Sequence, residues 1–271
     1  MTASTRRRFA EIMRSPEPDL GLACLLVGAE VFPDLDVAES LATLDTLAES
    51  AAPYMVAGEE AAGLRQALAD DAGFRGYGDD YADLRASLLH EVLRRRRGLP
   101  ILLSVVYLEV ARRLGVPAYG VGLPGHFVVS AQVGTESVLL DPFDGGTVLT
   151  HETAADVVSR AVGRRVTLTE DHFAPVGKRQ ILARVLANLK GAYVRREEWA
   201  KSLAIVDRLL VLDGPSSVFV RDRGSLLIKL GDLLRGAAAW ERYLRANPKA
   251  TDADKVKRDL RRVRQRIASL N

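Results

Sequence analysis

Gly98-Leu99-Pro100-Ile101-Leu102-Leu103-Ser104-Val105-Val106-Tyr107-Leu108-Glu109-Val110 constrains the architecture more than any other segment of the chain. Pro100 suits the first turn of a helix, where its missing N–H is not needed. The residues after it are apolar on nearly every side, so the helix belongs inside a core. Ser104, Tyr107 and Glu109 are its polar members, and Glu109 has Arg112 and Arg113 at helical spacing for a partner. Gly115-Val116-Pro117 stops the helix. Upstream, a helix is expected from about Asp83 to Arg97, with Gly98 as its left-handed C′ residue and Arg94 to Arg97 in its last turn, favourable to the dipole.

Downstream the period changes. Strands are expected near 118–123, 126–132 and 136–141, followed by an Asp144-Gly145-Gly146 turn. If the second and third strands form a hairpin closed at Val133-Gly134, His126 and Asp141 stand directly opposite, on one face and facing the N-terminal half of the Pro100 helix. A carboxylate there orients the imidazole and leaves its second nitrogen free, the base–orienter half of a catalytic triad. A purely structural His–Asp pair is the other reading of the same spacing.

Near the N-terminus, Asp19 and Asp36 precede apolar runs as helix caps, the second with a Val37, Leu41, Leu44, Leu47 stripe. From 181 onward only helices are evident. Gly191 and Gly224 are 33 apart, as are Pro215 and Pro248, close to the tetratricopeptide period. Thr251 and Asp254 resemble a capping pair for a last helix with a Val256, Leu260, Val263, Ile267, Leu270 stripe and arginines opposite. The halves differ in charge: residues 181–271 hold 20 Lys and Arg against 10 Asp and Glu, and residues 1–180 hold 18 against 25. Two oppositely charged domains, or solvated helix faces, account for this more simply than a nucleic-acid ligand, and no stacking aromatics interleave with the arginines.

Several classes are excluded or disfavoured by composition. No apolar run reaches the length of a membrane span. The arginines at positions 6–8 are not followed by a secretory-type apolar segment. Cys24 is the only cysteine, so no internal disulfide forms and a reducing cytoplasm is the expected setting.

These motifs together resemble the SirB-type branch of the transglutaminase-like proteins of bacteria. The resemblance rests on Phe32-Pro33-Asp34-Leu35-Asp36, Gly73-Phe74-Arg75-Gly76, Arg96-Arg97-Gly98-Leu99-Pro100, Leu123-Pro124-Gly125-His126-Phe127, Asp141-Pro142-Phe143-Asp144-Gly145-Gly146 and Arg221-Asp222-Arg223-Gly224, and covers nearly the whole chain. It implies an α+β fold with a papain/transglutaminase-like core, a buried helix against an antiparallel sheet, over residues 1–175. An all-α domain of tetratricopeptide-like helical repeats over 176–271 follows. The nucleophilic cysteine of that pattern falls on Pro100. The resemblance therefore implies a catalytically retired domain that acts as a protein-interaction or regulatory module, with a protein partner on the repeats and no cofactor or metal. The alternative is a serine-dependent hydrolase or acyltransferase in which Ser104, one turn beyond Pro100, joins His126 and Asp141, with Pro100 and Tyr107 lining its pocket. A Ser104 hydroxyl bonded one turn back along its helix, or to His126, is the structural reading of that residue. Cys24 reads as an inert core residue.

Overall fold

The computed structural model describes residues 3–214 and 218–270. The chain forms two compact units, residues 1–185 and 186–271. The boundary expected at 175 precedes α8 (Lys178–Arg195), whereas the two units meet inside that helix.

The first unit opens with α1 (Ala3–Ile12), α2 (Leu20–Val31) and α3 (Val37–Ala51). Asp19 caps α2 by accepting from Leu22 N–H, and Asp36 caps α3 by accepting from Ala38 and Glu39 N–H. A short α4 (Glu60–Arg65) runs on into a wider π turn over 66–71. Then comes α5 (Leu89–Arg95) and the buried α6 (Pro100–Arg113), with Pro100 in its first turn and eleven of its residues buried. Glu109 is buried and accepts from both partners anticipated for it, Arg112 at 3.0 Å and Arg113 at 2.6 Å. It also accepts from Gly21 N–H at 3.1 Å, which ties the start of α2 to α6.

The helix before Gly98 differs from expectation. Residues 84–87 make a separate 3-10 turn, α5 begins at Leu89, and the left-handed residue is Arg96, at φ +58°. Gly98 is required for space instead: a Cβ there would lie 2.5 Å from Val92 Cγ2. The arginine run therefore spreads out. Arg94 pairs with Glu91, Arg95 with Asp83, and Arg97 with Asp79 and the buried Asp80.

The sheet has five strands in the order β4-β3-β2-β1-β5, all antiparallel. The strands β1 (Ala118–Val121), β2 (Val128–Val133) and β3 (Glu136–Asp141) follow the expected ones. Two short edge strands, β4 (Thr147–Leu149) and β5 (Pro175–Val176), were not foreseen, being too brief to show a period. Val128, Leu139 and Leu149 pack with Ala154 and Val158 of α7 (His151–Val162), while α6 packs against β1 and β2. Burial on both faces explains why the central strands are almost uninterruptedly apolar.

The second unit is all helical: the rest of α8, then α9 (Trp199–Asp213), α10 (Val218–Lys229), α11 (Leu233–Ala246) and α12 (Ala253–Ala268). Trp240, Tyr243, Val256, Leu260 and Val263 form its core. Gly224 and Gly236 let α10 and α11 cross closely, since a Cβ on either would come within 3.0 Å of the other's carbonyl oxygen. Pro215 lies outside the described residues. Of the stripe on α12, Leu270 is exposed. The expected Thr251–Asp254 cap is not formed. Asp252 is the N-cap residue, and its carboxylate accepts from Tyr243 Oη at 2.7 Å and from Arg221.

Candidate functional site

The loop Leu123–Phe127 between β1 and β2 carries the candidate histidine. Gly125 at φ +71° turns the chain, and His126 N–H closes the turn onto the Leu123 carbonyl at 3.2 Å. Arg184 on α8 holds the turn from outside. Its Nη2 donates to the Leu123 carbonyl at 2.8 Å and the His126 carbonyl at 2.7 Å, and the guanidinium lies 5.3 Å from the Phe127 ring centre. Burial lowers the pKa of Arg184.

Asp141 is the last residue of β3. Its Oδ1 accepts from Phe143 N–H at 3.0 Å, which fixes the carboxylate, and its Oδ2 is 2.9 Å from His126 Nε2. Both side chains are buried. The Phe143 ring meets the imidazole edge-on, with centres 6.0 Å apart, and Tyr81 packs on Phe143 at 5.6 Å. Gly76 gives Phe143 its place: its N–H donates to the Phe143 carbonyl at 2.8 Å, and a Cβ on it would fall 1.9 Å from the ring. Burial, and then the nearby Asp141 charge, raises the Tyr81 pKa, so its phenol stays protonated at neutral pH.

A cleft of about 360 Å³ opens over the pair, lined by Tyr81, His126, Asp141, Phe143, Asp144 and, from α7, Val157, Arg160 and Ala161. The pair is brought together as expected, by a different register. Val129 faces Leu140 and Val133 faces Glu136, so the hairpin closes at Gly134-Thr135, one residue later than expected. Each partner moves by two positions, which preserves the face. His126 is thus a diagonal neighbour of Asp141 rather than its direct opposite.

The other expected site residues lie elsewhere. Pro100, Ser104 and Tyr107 are buried in α6 and do not line this cleft, whose lining includes Val157, Arg160 and Ala161 of α7. Ser104 Oγ donates to the Phe127 carbonyl at 3.4 Å, neither back along α6 nor to the imidazole. The Tyr107 hydroxyl is buried without a hydrogen-bond partner among the described residues and would sit 3.0 Å from a Cβ on Gly146. An oriented imidazole can accept or deliver a proton at its second nitrogen. The cleft lining itself supplies no thiol and no serine or threonine hydroxyl. No three His, Cys, Asp or Glu side chains among the described residues are grouped to hold a metal ion.

Residues 38–187 match a family described as the transglutaminase-like superfamily, and residues 189–261 match a tetratricopeptide repeat. The first match spans more than half of the chain. This chain belongs to the transglutaminase-like superfamily. Within it, the chain belongs with the UPF0162 proteins. It is 34% identical over 244 residues to the UPF0162 protein of Xylella fastidiosa (strain 9a5c), covering 86% of this chain and 85% of that one. To the UPF0162 protein of Vibrio cholerae it is 32% identical over 159 residues, 58% of each chain. An 81-residue stretch is 42% identical to mouse F-box only protein 21, covering 30% of this chain and 13% of that protein.

Arg184, Tyr81 and Arg160 joined the site only in three dimensions. Arg184 sits in a long helix that reads as part of the repeats, and nothing in its neighbours marks it as a clamp on a loop some sixty residues earlier.

Proposed function

We propose that this transglutaminase-like protein is a protein-interaction module. It keeps the fold and the His126–Asp141 pair, has no cysteine-based chemistry, and takes its protein partner on the helical repeats. Pro100 is the observation that carries this reading. It occupies the position at the start of α6 where the family pattern puts a cysteine, and it has no side-chain group to ionise. The single Cys24 is no substitute. It is buried in α2, and burial, followed by the charges of Glu109 and Asp19, pushes its thiol far up, so it stays protonated. Ser104 is sealed in the core with its hydroxyl directed to a backbone carbonyl, which argues against a serine enzyme.

The repeats offer a surface suited to a partner. A groove of about 400 Å³ between α9, α10 and α11 is lined by Leu210, Val220, Ala238 and Ala239 together with Arg223, Arg235 and Arg242. Arg223 pairs with Asp207 and Arg235 with Asp232. Arg242 adds an exposed cation, so an apolar segment with acidic flanks fits the groove. The test uses the full chain with a photo-crosslinking residue at Ala238. Partner adducts that vanish in Arg242→Glu and persist in His126→Ala support the reading. Adducts that follow His126 instead contradict it.

A further inference from the structure

Of the four consecutive arginines, Arg94, Arg95 and Arg97 each meet a carboxylate, and Arg96 meets none among the described residues. Its guanidinium donates no hydrogen bond to a described residue, and Nη1 is buried without a partner. One face lies on the Phe74 ring, 4.7 Å from its centre, which leaves the in-plane N–H donors unused. Its backbone is left-handed at φ +58°, where glycine is the usual residue. Nε and Nη2 are not sealed in the same way, and they are the donors that a guest beside Arg96 could meet.

Arg96 walls a surface cavity of about 340 Å³ together with Thr43, Thr46, Ser50 and Asp71. The Thr43 and Thr46 hydroxyls donate back to the Glu39 and Ala42 carbonyls at 3.0 Å, so they offer only lone pairs to a guest. Asp71 likewise accepts, already taking Gln66 Nε2 at 2.9 Å. The cavity therefore combines one strong cationic donor with several acceptors.

We propose that this cavity is a binding site for a small metabolite that places a phosphate or carboxylate group on Arg96 and ammonium or hydroxyl donors towards Asp71 and the α3 hydroxyls. The site is separate from the His126 cleft and does not depend on the function proposed above.

Isothermal titration of the full chain with phosphoserine, glycine and inorganic phosphate tests it. Phosphoserine should bind saturably at one site, and phosphate alone more weakly. Arg96→Gly suits the left-handed backbone, so it should melt no lower than wild type and bind at least about tenfold more weakly. Thr46→Leu narrows the cavity while leaving Arg96 itself unchanged and should weaken binding in the same way. Three results overturn the proposal: no saturable binding of any probe below about 10 mM, undiminished binding by Arg96→Gly, or undiminished binding by Thr46→Leu, which would put the ligand elsewhere.

Discussion

Replacing Arg184 by Met removes the clamp on the histidine loop while keeping an aliphatic stem against Phe127. Two hydrogen bonds are lost, at 2.8 Å to the Leu123 carbonyl and 2.7 Å to the His126 carbonyl. Each bond from a charged donor contributes about 1.5–3 kcal/mol. Relief from burying the guanidinium, whose pKa burial already depresses, offsets part of this. A net loss of about 2–4 kcal/mol is expected, seen as a fall of about 5–12 °C in the melting temperature of the first unit. The side-chain ¹⁵N resonances of His126 report positioning separately. They should broaden or shift in Arg184→Met at temperatures where the fold is intact. A melting temperature within about 1 °C of wild type, with unchanged His126 resonances, would refute the clamp.

Glu109→Ala leaves Gly21 N–H without its buried acceptor and Arg113 with only the exposed Asp45, and should cost about 2–4 kcal/mol in urea unfolding, against much less for an exposed change such as Glu49→Ala. Gly98→Ala places a Cβ 2.5 Å from Val92 Cγ2 and should lower stability by about 1–3 kcal/mol, measured the same way. Asp83 is the group to follow at low pH. Burial opposes its charge, but hydrogen bonds from Arg85 and the pairing with Arg95 bring its pKa down to about 2 from 3.8. Its contribution to stability is therefore complete above the unfolded value and lost as pH falls from about 4 to 2, and Asp83→Asn should flatten that part of the acid-unfolding profile. Cys24 should resist iodoacetamide in the native protein and react once urea unfolds it; rapid native labelling would show that α2 opens.

Much of this architecture is legible in the residues, because burial imposes patterns on them. A uniformly apolar run between Pro100 and Gly115 has to be an interior helix, and Asp19 and Asp36 announce the helices they cap. Finer placement depends on contacts distant in sequence. A single glycine at 134 fits either position of a tight turn, so the hairpin could close at Val133-Gly134 or Gly134-Thr135, and the sheet chose the second. Gly98 resembles a helix terminator, yet Val92 occupies the space a side chain would need, and the left-handed turn falls on Arg96. Asp252 gives its carboxylate to Tyr243 and Arg221 rather than to the helix end. The His126–Asp141 contact was foreseen because a shift of two keeps a residue on its face. The cleft over it was not, since α7 and Tyr81 come from segments with no motif of their own.

The proposed function turns on whether partner binding follows the repeats or the histidine cleft. The decisive measurement is quantitative partner recovery by the full chain, crosslinked through Ala238 in living cells and compared across Arg242→Glu, His126→Ala and wild type at matched expression. Recovery reduced at least about tenfold in Arg242→Glu and unchanged in His126→Ala is the predicted result. Recovery that survives Arg242→Glu and collapses in His126→Ala would contradict it.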